Sequence, residues 1–269
     1  MISFPPCKIN LGLQVVSKRP DGYHNIETCF YLLPWTDILE IIPSDVFAFS
    51  SSGIAVPGKQ EDNLCLKAYQ LLKNNFVLTA VKIHLHKAVP MGAGLGGGSS
   101  NAAYTLRTLN TIFNLKLNTD QLKQYASQLG SDCSFFIEDV PMIGTGRGEV
   151  LENSTVNLKG KYIVVIKPEV HVSTAEAYAG VKPSGASNHL KDIVEKAPLG
   201  SWKDSLKNDF EDSVFAKYPL IRELKEKLYH HGATYASMSG SGSSVFGIFE
   251  KPAELKNQFG GMAYWSGRL

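Results

Sequence analysis

Residues 90–101, Pro-Met-Gly-Ala-Gly-Leu-Gly-Gly-Gly-Ser-Ser-Asn, place five glycines and two serines directly before a run of helix-forming residues. Gly92, Gly94, Gly96, Gly97 and Gly98 allow positive φ and a close approach of backbone to ligand that side chains would prevent. Ser99, Ser100 and Asn101 have N-cap chemistry, and Ala102, Ala103, Leu106, Leu109, Ile112 and Phe113 recur at helical spacing. The stretch is therefore expected to lead into a helix N-terminus, where unpaired N–H groups and the dipole attract an anion. Phosphate is the expected ligand class.

Three other readings of the loop fit less well. A Gly/Ser linker is flanked by polar, low-complexity sequence, whereas this loop lies between an alternating strand and an amphipathic helix. Gly92, Gly94 and Gly97 satisfy the dinucleotide pattern G-x-G-x-x-G. The preceding Val81-Lys-Ile-His-Leu-His86, however, alternates like a half-exposed antiparallel strand rather than a buried parallel one. Asp120, at a plausible distance for the ribose carboxylate, follows Thr119 at the start of another helix. A G-x-x-x-x-G-K-[ST] loop is excluded, because the stretch contains no lysine. A nucleotide-phosphate loop of a third kind remains.

Other residues are placed for chemistry. Asp132 follows a short helix and precedes Phe135 and Phe136, so it is either a helix cap or a carboxylate shielded from water. Tyr23 and His24 leave the turn Arg19-Pro-Asp-Gly22, either as surface turn residues or as ligand contacts. A second Gly/Ser loop, in Ala236-Ser-Met-Ser-Gly-Ser-Gly-Ser-Ser-Val-Phe-Gly247, leads into a strand. One glycine-rich loop in each half implies a ligand between the halves, although a Gly/Ser turn beside a strand is commonly structural.

The positioning elements follow from periodicity. A strand over 2–16, broken at Lys8-Ile-Asn10, is followed by strands at 28–33 and 37–42. A helix over 63–74 uses Leu64, Ala68, Leu71 and Leu72 as its apolar face. Next come the strand at Val81, the glycine loop, a helix over 101–114 and a helix over 119–130 capped by Thr119, with Leu122, Tyr125, Ala126 and Leu129 inward. Gly144-Thr-Gly-Arg-Gly-Glu149 makes a turn closing the first half. In the second half a buried strand spans 162–166, Ser173 opens a helix as a capping box with Glu176, and residues 180–188 form a polar loop. A longer helix carries the stripe Leu220, Leu224 and Leu228.

At 269 residues the chain holds one large domain or two small ones, and 43% hydrophobic with 19% charged residues is ordinary for a globular protein. A net charge of +2 is too mild to argue for a nucleic-acid or membrane partner. Cys7, Cys29, Cys65 and Cys133 form no C-x-x-C pair, so buried thiols in a reducing cytoplasm are expected and a metal cluster is not. Pro5, Pro6 and Lys8 interrupt the first residues before a signal-peptide core develops, and no apolar run is long enough to span a bilayer.

Residues 90–100, the early Lys8-Ile-Asn10 and the late Ser239-Gly-Ser-Gly242 resemble the GHMP kinases, which phosphorylate small molecules such as galactose, homoserine and mevalonate. Lys8-Ile-Asn-Leu11, Arg19-Pro-Asp-Gly-Tyr-His24, Gly130-Ser-Asp132, Val172-Ser-Thr174, Asn208-Asp209 with Glu211, and Met238 to Ser243 narrow the likeness. They resemble the branch that phosphorylates a cytidylyl alcohol on the non-mevalonate route to isoprenoids, and the Arg19 to His24 turn sets that branch apart. A GHMP kinase for homoserine or mevalonate is the alternative. The resemblance implies an α+β fold with a ribosomal-S5-like N-terminal domain over 1–152, a ferredoxin-like C-terminal domain over 153–269, and an active site in the cleft between them.

The resemblance also implies roles. Pro90, Met91, Gly92, Ala93, Gly94, Leu95, Gly96, Gly97, Gly98, Ser99 and Ser100 would bind ATP, with Asn63 and Lys87 near the adenine. Magnesium would come with the ATP, touched at most by Ser99 or Ser100, without a dedicated protein site. Asp132 and Lys8 would be catalytic, and Asn10, Tyr23, His24 and Thr174 would hold the cytidylyl substrate, with Tyr23 and His24 at the cytosine. A cytoplasmic monomer or weak homodimer, without nucleic-acid or membrane partners, is implied. Asn101 stands where such kinases often carry Asp, and Cys133-Ser134 where Val-Pro is usual.

Overall fold

The computed structural model describes residues 1–183, 185 and 189–269; of the expected polar loop over 180–188, residues 184 and 186–188 lie outside the described residues. In chain order the strands are β1 (Ile2–Ser3), β2 (Pro6–Lys18), β3 (His24–Thr36), β4 (Ile38–Pro43), β5 (Ala48–Gly53), β6 (Val81–Lys87), β7 (Met142–Thr145), β8 (Val150–Asn153), β9 (Tyr162–Lys167), β10 (Tyr235–Met238), β11 (Val245–Phe249) and β12 (Ala263–Arg268). The helices are α1 (Leu64–Asn75), α2 (Gly97–Ile112), α3 (Thr119–Ser127), α4 (Thr174–Gly180), α5 (Leu190–Lys196), α6 (Trp202–Ser205), α7 (Phe210–Lys217) and α8 (Pro219–His230).

The chain forms two compact units, each assembled from separated segments. Met1–Cys7, Trp35–Met91 and Gly96–Asp139 make the first, and Lys8–Pro34, Gly92–Leu95 and Val140–Leu269 the second. In the first unit a sheet of order β1-β4-β6-β5 buries one face. Along β6, Val81, Ile83, Leu85 and Lys87 are buried, while Lys82 and His86 are exposed. Leu39 and Ile41 of β4 are buried too, as are Ala68 and Leu72 of α1 and Ala102, Leu106 and Leu109 of α2. β6 pairs antiparallel with β4, as its alternation predicts, and parallel with β5. That second pairing is hidden in the sequence because β5, Ala-Phe-Ser-Ser-Ser-Gly, has little strand patterning.

The second unit holds the sheet β2-β3-β7-β8 and the all-antiparallel sheet β10-β11-β9-β12. Numbered from β9, the latter runs 4-1-3-2, the ferredoxin-like order. Its core joins Val164, Ile166, Met238 and Val245 to Phe210, Val214, Ile221, Leu224 and Leu228.

Several local expectations are corrected. β2 runs unbroken through Lys8-Ile-Asn10, because both polar side chains are buried and hydrogen-bonded instead of facing water. α2 starts at Gly97, earlier than expected, so Ser99, Ser100 and Asn101 lie inside it and Gly96, at φ 68°, is the N-cap. α3 is capped by Asn118, whose side chain accepts from Gln121 N–H while the Gln121 side chain accepts from Asn118 N–H; Thr119 is the first helical residue. On α8 the buried stripe opens at Ile221, and Leu220 faces outward.

Candidate active site

Asp37, the single residue between β3 and β4, organises the candidate site residues of the first unit. Its buried Oδ1 accepts from Ala88 N and Val89 N, each at 2.8 Å. Oδ2 accepts from Asn101 Nδ2 at 2.9 Å and from the Lys87 ammonium, and both members of that ion pair are fully buried. Residues 88 and 89 enter the glycine loop and Asn101 lies early in α2, so one carboxylate ties down both ends of the loop. Lys87 follows the inward alternation of β6, and an ammonium there needs this partner. Its charge is committed to Asp37 rather than projected at solvent. Asn101 is the neutral amide that bridges: it donates to Asp37 and lies 3.4 Å from Lys87 Nζ.

α2 points its N-terminus out of the loop, with no acidic residue in its first turn to compete with an anion. The Ser100 hydroxyl is buried with no hydrogen-bond partner among the described residues. Ser99 is half-buried and close enough to the Cys133 thiol to share a hydrogen bond. Cys133 is the neighbour of Asp132, in a turn closed by Cys133 N–H to Gly130 O at 3.1 Å. The structure thus brings half-buried Asp132 to the first turn of α2 within one unit. Phe135 and Phe136 behind it are fully buried. Burial pushes the Cys133 thiol up to about 12, so it is a neutral spacer and not a nucleophile.

Beside the loop lies a cavity of about 110 Å³, with Asn63, Leu64, Lys87, Met91, Gly98 and Asn101 in its wall. It is well below the roughly 300–1,000 Å³ of a pocket that engulfs a whole ligand, and suits one ring. Asn63 caps α1, its Oδ1 accepting from Cys65 N at 2.9 Å. Among the described residues no group of three His, Cys, Asp or Glu could hold a metal ion.

In the second unit, Gly92–Leu95 is pinned from two sides. Lys8 N–H donates to Leu95 O at 2.9 Å. Ser239 Oγ donates to Gly94 O at 2.9 Å, and Ser244 N–H to Ala93 O at 3.2 Å. Gly94 sits at φ 73°, and a Cβ there would come within 1.9 Å of Ser239 O. The 239–244 loop is therefore a clamp on the first loop. Asn208 Nδ2 holds it through Met238 O and Gly240 O, both at 2.8 Å, and Glu211 Oε1 through Met238 N at 2.8 Å.

Lys8 is 3% exposed; its ammonium donates to Asn10 Oδ1 at 2.5 Å and lies over the Phe30 ring at 5.3 Å. Asn10 Nδ2 in turn donates to Thr28 Oγ1 at 2.9 Å, and Thr28 Oγ1 to Gly12 O at 2.5 Å. Asn10 therefore orients Lys8 with an amide engaged at both ends. Thr174 is the first residue of α4, with its hydroxyl 3.4 Å from that of Ser241.

Tyr23 is 56% exposed, and the Arg147 guanidinium carbon lies 5.0 Å from its ring centroid. The His24 ring stacks on Tyr178 at 4.8 Å and 19°. Burial, and secondarily the charge of Lys18, lower the His24 pKa below its ordinary 6.5. Neutral imidazole carries one donor and one acceptor, the pattern a base edge needs. Tyr178, Arg147 and Asp37 are functional neighbours that the sequence does not mark. A lone Asp between strands carries no local signal.

Two family models match the chain: GHMP kinases N terminal domain at residues 63–147 and GHMP kinases C terminal at residues 190–262. A protein of Cytophaga hutchinsonii named 4-diphosphocytidyl-2-C-methyl-D-erythritol kinase is 55% identical over 94% of this chain and 94% of its own length. One of that name from Parabacteroides distasonis is 50% identical over 100% of both. A solved structure of 4-(cytidine 5'-diphospho)-2C-methyl-D-erythritol kinase superposes with a TM-score of 0.85 at 31% identity, covering 99% of this chain and 98% of that one. A homoserine kinase from Cytophaga hutchinsonii, at 15% identity, TM-score 0.69 and coverage of 99% and 93%, shares the fold.

Proposed function

Since the chain belongs to the 4-diphosphocytidyl-2-C-methyl-D-erythritol kinases, within the GHMP kinases, we infer that it transfers the γ-phosphoryl group of ATP to the 2-hydroxyl of 4-diphosphocytidyl-2-C-methyl-D-erythritol. The observation that carries the residue assignment is the anchoring of the glycine loop. Its first segment is bonded to the main chain of Lys8, and its helical end abuts the turn of Asp132.

Phosphoryl transfer proceeds through a loose transition state with charge on the equatorial oxygens, so positioning and electrostatic stabilisation dominate. N–H groups over residues 94–99 hold the β- and γ-phosphates, that of Ser100 being committed to Gly96 O at 2.9 Å. Asp132 accepts the proton of the attacking hydroxyl. A carboxylate suffices, because little proton transfer precedes a loose transition state. Lys8, aimed by Asn10, orients that hydroxyl. Asn63 and the small cavity beside it take the adenine ring, with Lys87 acting through Asp37 to hold the cavity floor. Tyr23 stacks on the cytosine, neutral His24 bonds its edge, and Thr174 and Asn10 lie toward the erythritol diphosphate.

The buried Ser100 hydroxyl, which has no partner among the described residues, fits an oxygen donor toward magnesium carried by the nucleotide. Ser99 or Ser100 would supply the protein's oxygen, and the ion, when bound, neutralises phosphate charge. The test is ADP release from ATP and magnesium with a panel of alcohols. Turnover with the cytidylyl alcohol alone is expected; preference for homoserine or mevalonate would refute the assignment.

A further inference from the structure

Tyr23 is poorly supported by packing, being more than half exposed at the end of a turn. Its backbone is held: Arg19 N–H donates to Tyr23 O at 2.8 Å, and Tyr23 N–H to Asp21 Oδ1 at 3.1 Å. Arg19 in turn grips Asp21 with Nε at 3.0 Å and Nη2 at 2.8 Å. None of these bonds restrains the ring. Among the described residues, the contact that does is the Arg147 guanidinium, 5.0 Å from the centroid.

Arg147 sits at the tip of the β7–β8 hairpin between Gly146 at φ 68° and Gly148 at φ 106°. The tip is docked on the start of β3 by Ile26 N–H to Gly146 O at 2.7 Å. Glu149 folds back to fix Arg147, accepting from its N–H at 2.5 Å and its Nε at 3.3 Å. A tethered cation over one face of an exposed ring does two things. It adds a cation–π contact, and it leaves the other face as a set platform, lowering the ordering cost of stacking.

We propose that Arg147 is a positioning residue for the cytidylyl substrate, backing the Tyr23 ring so that its open face is presented to the base. The inference rests on the reading that Tyr23 stacks on cytosine. A guanidinium here could instead bind the substrate's diphosphate directly, so the test must separate the two roles.

The experiment is steady-state kinetics on the full-length enzyme with Arg147→Ala, Arg147→Lys, Tyr23→Ala and the double variant Tyr23→Ala/Arg147→Ala, varying each substrate in turn. Arg147→Ala is expected to raise KM for the cytidylyl alcohol about two- to fivefold, the scale of an exposed cation–π contact. KM for ATP and kcat stay unchanged, and Arg147→Lys restores part of the loss. In the Tyr23→Ala background, Arg147→Ala adds nothing. An equal rise in KM for ATP, or an Arg147→Ala effect that persists in full without Tyr23, overturns the proposal in favour of a structural or phosphate-binding role. If Tyr23→Ala alone leaves the cytidylyl KM unchanged, the stacking reading itself falls, and the role of Arg147 with it.

Discussion

Replacing Asp37 by Asn tests whether a buried carboxylate holds the glycine loop in place. The variant keeps the shape and an acceptor for Ala88 and Val89 N–H, but among the described residues it leaves the fully buried Lys87 ammonium with only Asn101 Oδ1, 3.4 Å away. Removing one partner of a buried ion pair costs about 3–5 kcal/mol. Lys87→Met is milder, because Asp37 retains three donors, the N–H groups of Ala88 and Val89 and Asn101 Nδ2. Its expected cost is about 1–3 kcal/mol. The double variant should be less destabilised than the sum of the two, since it strands no charge. Urea denaturation of the four proteins measures these differences. The reasoning is refuted if Asp37→Asn lies within about 1 kcal/mol of wild type, or if the double variant is additive, because a pair that strands no charge when broken is not buried as described.

Other outcomes follow from the site. Asp132→Asn should lower kcat by about 10²–10⁴-fold with little change in KM for ATP, checked by initial rates. Gly94→Ala meets Ser239 O at 1.9 Å from φ 73°, so ATP affinity by calorimetry should fall roughly tenfold or more while the cytidylyl substrate still binds. His24 has a folded pKa below its unfolded one, so it stays neutral to lower pH than a free histidine, and protonating it opposes folding. KM for the cytidylyl alcohol should be flat above pH 6.5 and rise only below it, and the His24 ring should titrate below 6.5 by NMR. All four cysteines are buried, and burial pushes Cys29 and Cys133 up to about 12 and Cys65 up to about 11. At pH 8 a thiol reagent should label them only after denaturation.

Local chemistry was legible where it is carried by neighbours in sequence. Glycines followed by helix formers announce a loop entering a helix, and α1, α8 and β9 followed from periodicity. Boundaries set by non-local bonding were not: α2 begins at Gly97 because Gly96 takes the left-handed conformation, and β2 continues through Lys8 because Asn10 and Thr28 absorb its polar groups. Asp37 gave no signal, since a carboxylate's value depends on donors 51, 52 and 64 residues away.

From the sequence alone came the kind of chemistry, an anion held by main-chain amides, together with the residue types able to act on it. The tertiary structure alone decided which of them are ligands and which are supports: Lys87 is tied to Asp37, Asn10 to Lys8, and the second Gly/Ser loop clasps the first. A side chain's role is fixed by what stands opposite it once water is excluded, and sequence order does not encode that neighbour.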